Sequence, residues 1–133
     1  MIEIKRYFTP QDANRTLPLV RRIVEDILAT GREIRELESN PPAGARDTRE
    51  KHRTLLNTLQ SYRHELEDIG CFFKDWNFEM GLVDFPARIN GRDVFLCWRS
   101  DEPELMFYHG VQENFQNRKP IPPALLAIPA KRG

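Results

Sequence analysis

Asn90-Gly91 narrows what this chain can fold into more than any other feature. The pair stands between two apolar-rich runs, GLVDFPARI and RDVFLCWR. Asn and Gly both accept the positive φ angles of a tight primed turn, so the pair predicts a two-residue β-hairpin. Such a turn also sets the register of its strands. Closing it puts Ala87 opposite Val94, Phe85 opposite Leu96 and Val83 opposite Trp98, which defines an apolar face. The other face pairs Asp84 with Cys97 and Arg88 with Asp93. A third run, Glu104 to His109, follows the Ser100-Asp101-Glu102-Pro103 turn. Residues 80–109 therefore read as a three-stranded antiparallel meander.

Upstream, the apolar period changes from two to alternating threes and fours. Thr9-Pro10-Gln11-Asp12 is a helix start: Thr9 suits the cap, Pro10 the first turn, and Asp12 the positive end of the dipole. Ala13, Leu17, Val20, Val24, Ile27, Ile34 and Leu37 then form one stripe, with Gly31 at the missing position. Leu19, Ile23 and Leu28 widen it. Pro18 lies inside this helix and removes the bond to the Asn14 carbonyl. The spacing predicts helix over 9–38. Ser39 to Gly44 is a loop by composition, and Asp47-Thr48-Arg49-Glu50 reads as a capping motif. His52, Leu55, Leu59, Tyr62, Leu66 and Ile69 carry the second helix, over 47–69, to a left-handed stop at Gly70. The pair should form an antiparallel hairpin about 35–45 Å long, at a rise of ~1.5 Å per residue.

The remaining segments are less regular. Ile2 and Ile4 alternate weakly, which fits a short edge strand or an ordered lead-in. The connector from Cys71 to Glu79 holds Phe72, Phe73, Trp76 and Phe78, which should cover a face of the meander. Residues 110–133 read as an extended, Pro-rich tail. Its apolar run Ala124 to Ile128 should dock on the body or on a partner chain. The fold class expected is α+β, one domain over 1–133: a long two-helix hairpin, a small meander and the tail.

Lysine plus arginine equals aspartate plus glutamate, 20 against 20, so no global field favours nucleic acid or membranes. No run approaches the roughly 18 apolar residues of a membrane span. MIEIKRYFTP lacks the apolar core of a secretory signal, and two cysteines make no disulfide framework. A cytoplasmic location is the expectation.

Several pieces together resemble a bacterial family, the domain-of-unknown-function family 2203. They are FTPQDANRTLPLVRRIVEDI at the start, Gly70-Cys71-Phe72-Phe73-Lys74, Gly81-Leu82-Val83-Asp84-Phe85-Pro86, Leu96-Cys97-Trp98, Asp101-Glu102 and Tyr108-His109. The likeness runs to about Ile121. Asp101 stands where the family pattern has glycine, and Tyr108 where it has tryptophan. The resemblance brings no activity with it.

Chemistry must then be sought among polar residues in apolar surroundings. Asp84 sits mid-strand between Val83 and Phe85, where Asp is disfavoured, and if buried it needs a donor. Lys74, Arg88, Arg99 and Arg118 are the cations available for that role. His109 closes the last strand and could work with Glu102 as an oriented imidazole. A ligand site is expected from Asp84, Trp98, Glu102 and His109, with Arg118 nearby and Tyr108 as a second aromatic wall. A divalent metal would draw on Cys71, Cys97 and His109, with Asp84 or Glu102. Against a metal, there is no C-x-x-C and no H-x-x-x-H, and Cys97 also reads as a small buried hydrophobe. No phosphate loop, dinucleotide-binding glycine pattern or nucleophile elbow is present, and no cofactor is identified.

Two functions compete on this reading. One is a small dimeric interaction or ligand-binding module. The other is a small-molecule or metal-dependent hydrolase-like enzyme using Asp84, Glu102 and His109. A homodimer is expected because the meander is too short to cover the helical stripe, with Leu19, Ile23 and Leu37 as the flank meeting the partner.

Overall fold

The computed structural model describes residues 4–126, the side chain of Ala45 apart. Helix α1 spans Pro10–Ser39, and the Thr9 hydroxyl accepts from the Asp12 backbone amide at 3.1 Å. It runs unbroken through Pro18. The expected stripe is buried from Ala13 to Leu37. Helix α2 spans Ala45–Ile69 and stops at Gly70, whose φ of 111° is open to glycine at little cost. The start of α2 differs from expectation. Gly44, not Asp47, is the cap residue, and Asp47 lies in the first turn, where its charge still complements the dipole.

The sheet has five antiparallel strands rather than three, in the order β1 (Phe72–Phe73), β2 (Leu82–Ile89), β3 (Arg92–Arg99), β4 (Phe107–Gly110) and β5 (Lys119–Pro120). Asn90 (φ 53°) and Gly91 (φ 77°) make the expected turn. The β2–β3 register matches the reading from sequence, with Val83 opposite Trp98, Phe85 opposite Leu96 and Asp84 opposite Cys97. Pro86 is tolerated within β2 because it lies beyond the two residues that β1 pairs. Its carbonyl accepts from the Phe8 amide at 2.7 Å. The two outer strands were missed because two residues are too few to show a period.

Residues after His109 are not simply an extended tail. Phe115–Asn117 is a 3-10 turn, Lys119–Pro120 is β5, and Pro123–Leu126 is a short helix, α3. Ile121 is buried, and Leu125 and Leu126 pack against the core. Ala127 and Ile128 of the apolar run lie outside the described residues, as does Ile2 of the lead-in. Residues 4–8 form no strand.

One buried cluster joins both helices and the inner sheet face. It includes Leu17, Val20, Val24 and Ile27 of α1, Leu59 and Leu66 of α2, and Val83, Phe85, Leu96 and Trp98 of the sheet. The Asn14 side chain ties α1 to the sheet, accepting from the Leu105 amide at 2.8 Å and donating to its carbonyl. Leu105 itself is buried but precedes β4. The connector aromatics do not all cover the sheet. Phe73 is in the core, but Phe78 packs on α1 at Gly31. Of the flank expected to meet a partner, Ile23 and Leu37 are already buried within the chain, and only Leu19 is exposed, at 51%.

Candidate functional site

Strand alternation divides the sheet residues between two faces. Val83, Leu96, Trp98 and Tyr108 share the inner face by register. Asp84, Cys97 and Phe107 form a row on the outer face, directly opposite one another across three strands. Phe95 and His109 make the next outer row. The outer face is not solvated, since Asp84 is 4% exposed and His109 3%. The segment after β4 covers it, anchored where the Gly110 amide donates to Glu113 Oε1 at 2.7 Å.

The sequence left the partner of Asp84 open among four cations, and the structure assigns none of them. Arg88 pairs with Asp93, Arg99 with Asp101, and Arg118 with Glu102. Asp84 instead faces His109, whose Nε2 lies 3.2 Å from Oδ1 and 3.1 Å from Oδ2. The other ring nitrogen, Nδ1, donates to the Gly110 carbonyl at 2.8 Å. A carbonyl can only accept, so Nδ1 is the donor there, and Nε2 donates to the carboxylate when the ring is protonated. Burial works against the imidazolium, but the Asp84 hydrogen bond and charge, with the Gly110 carbonyl, outweigh it and raise the pKa of His109.

Cys97 completes the cluster. Its sulfur, an Asp84 oxygen and a His109 ring nitrogen all lie within 4.8 Å of one another. Burial first, and then the Asp84 charge, push its thiol up to about 12 against the pull of Arg118. A thiol so protonated is a poor nucleophile. The three groups line a partly open cavity of about 240 Å³, together with Lys74, Leu82, Glu113, Asn114 and Phe115.

The other sequence candidates stand elsewhere. Trp98 is buried on the inner face, with its indole N–H donating to the Glu102 carbonyl at 2.9 Å, so it cannot wall this cavity. Tyr108 is excluded for the same reason of register. The Glu102 carboxylate accepts from the Arg99 amide at 2.8 Å and from Arg118 at 2.9 Å, a mostly buried pair separate from His109. Arg118 stacks on Phe107 and Phe115, 4.2 Å and 4.5 Å from their centroids. Cys71 directly precedes β1, but it is buried in the main core cluster, where its thiol donates to the Leu66 carbonyl, and it is not among the donors that meet around Asp84. It therefore does not join Cys97 in a ligand set. Lys74, Glu113, Asn114 and Phe115 were not expected as lining. Lys74 stood in the recognised motif, but only the fold shows that it reaches the cavity.

A wider groove of about 850 Å³ runs along the start of α1, past Gln11, Asn14, Leu17, Met106 and Leu126. It brings together no comparable set of buried ionisable groups. No described helix is long and apolar enough to cross a membrane. A two-helix hairpin packed on a five-stranded antiparallel sheet, with a buried ionisable cluster on the sheet's far face, is the class of protein defined here. The family model "Uncharacterized conserved protein (DUF2203)" matches residues 6–121, and the chain belongs to that family. Searches of curated proteins and of solved structures returned no match.

Proposed function

We propose that the protein is a small-ligand-binding module whose site is the cavity over Asp84, Cys97 and His109. One observation carries this reading. A carboxylate, an imidazole and a thiol are buried together on the sheet face away from the main core, yet border open volume. Buried charge is costly, and an ordinary covering layer would be apolar. The ligand is small, since the cavity of about 240 Å³ falls below the roughly 300–1,000 Å³ of pockets for drug-sized molecules. Lys74 is a cation of the lining with no carboxylate partner among the described residues, which favours a ligand bearing an anionic group. Hydrolysis through Asp84, Glu102 and His109 is the weaker reading, because Glu102 is held by Arg118 and by the Arg99 amide and does not meet His109. Titrating the 15N-labelled protein with acetate and with inorganic phosphate tests the proposal. Amide shifts centred on Glu113, Asn114 and Phe115, weakened by Lys74→Ala, support it. No shift there, or shifts spread over the surface, would sink it.

A homodimer through the helical hairpin remains a second proposal, now resting on exposed Leu19 of α1 and Leu56 of α2. Light scattering at micromolar concentration should give twice the chain mass, falling to the monomer in Leu19→Glu.

A further inference from the structure

We infer that Asp84, Cys97 and His109 form a binding site for a thiophilic divalent cation of the zinc class, with one coordination position open to the cavity. The inference rests on the ligand-binding reading above and names the chemistry at its floor. The donor set is one carboxylate oxygen, one imidazole nitrogen and one thiolate sulfur, the combination that zinc and cobalt accept and that magnesium and calcium do not. In a tetrahedral zinc site, N, O and S donors stand roughly 3.3–3.6 Å apart, from bond lengths of ~2.0–2.3 Å. Here the carboxylate and ring nitrogen are 3.1–3.2 Å apart, and all three donor atoms fall within 4.8 Å. Reaching that spacing requires the carboxylate and the imidazole to part slightly and the Cys97 sulfur to draw in.

The surroundings suit the ion. The His109 Nδ1–H is fixed on the Gly110 carbonyl, which leaves Nε2 as the ligating atom, the usual support for a metal-bound histidine. Binding replaces two protons: the one between Nε2 and Asp84, and the one on Cys97. A divalent charge is then balanced by one carboxylate and one thiolate, so the buried cluster is neutral. Three protein ligands leave a fourth position, which zinc sites of this kind give to water or to a bound molecule. The three donors line the cavity together with Lys74, so a fourth ligand would come from there, and the lysine offers a positive charge to an anionic one.

Cobalt(II), added to the chelator-treated full chain, tests the site. The expected result is one ion per chain and a near-ultraviolet thiolate-to-cobalt absorption that zinc displaces. The band should vanish in Cys97→Ser and persist in Cys71→Ser. Absence of stoichiometric uptake, or a band that survives Cys97→Ser, overturns the inference. Should Cys97→Ser not fold, cadmium-113 resonance of the wild-type protein decides instead. A signal from a mixed sulfur, nitrogen and oxygen set supports the site, and an all-oxygen signal refutes it. The two readings fail separately. Anion-induced shifts at Asn114 without cobalt uptake overturn the metal site alone. Cobalt uptake without any anion response leaves the ion and removes the small-ligand reading.

Discussion

The ring of Phe78 occupies the space that any side chain at Gly31 would need. The connector between β1 and β2 is thereby pressed onto the middle of α1, and the Asn77 carbonyl accepts from Arg35 there. Helix propensity alone favours alanine over glycine by ~1 kcal/mol. Overpacking costs about 1–3 kcal/mol, and here the obstacle is a ring held by Trp76 beside it. Gly31→Ala should therefore destabilise the protein in urea. Adding Phe78→Ala should make the same glycine substitution neutral or stabilising. A stabilising single variant would show that Phe78 moves aside freely.

Trp98→Ala should cost about 3–5 kcal/mol, because the indole is fully buried and its N–H is satisfied. Ligand binding in the outer cavity should survive where the variant still folds, since the side chain lies on the opposite face. Loss of binding in a folded variant would contradict the division of faces.

Removing one partner of the Asp84–His109 pair leaves the other charge buried. Asp84→Ala should cost about 3–5 kcal/mol. In the metal-free protein the His109 titration midpoint should lie above the ~6.5 of an unperturbed histidine. The sign follows: the pair's contribution is fully present below ~6.5 and is lost as pH rises through the folded midpoint. Ring-nitrogen NMR reads the midpoint directly, and a value below ~6.5 would mean that burial outweighs Asp84.

Arg118, stacked between Phe107 and Phe115 and paired with Glu102, pins the segment that covers the site. Arg118→Ala should raise amide exchange at residues 113–118 far more than in α1. Uniform acceleration along the chain would point to global destabilisation instead.

Burial pushes the Cys71 thiol up to about 12, so it should be inert in the folded protein. Iodoacetamide at neutral pH should label Cys71 only after denaturation. Labelling under native conditions would show that the end of α2 opens locally.

How far the sequence was legible depended on how local the deciding interaction is. The Asn90-Gly91 turn dictated every β2–β3 pair, so the adjacency of Asp84 and Cys97 could be read directly. Alternation also put Trp98 on the opposite face from Cys97. The same alternation excludes Trp98 from the outer-face site. His109 is different. Its position depends on how β4 pairs with β3 after a loop that contains buried Leu105, and no two-residue turn fixes that register. Lys74, Asn114 and Phe115 enter the site through loop paths that leave no periodic trace.

The β2–β3 turn also implies an order of events. Contacts near in sequence close first, since they cost the least chain entropy. Asp84 and Cys97 meet as soon as the hairpin forms, whereas His109 arrives only when β4 docks. The cluster is therefore completed only after the hairpin, when β4 pairs with β3. A chain ending between Arg99 and Phe107 would keep Asp84 and Cys97 side by side and lose the imidazole that pairs with the carboxylate.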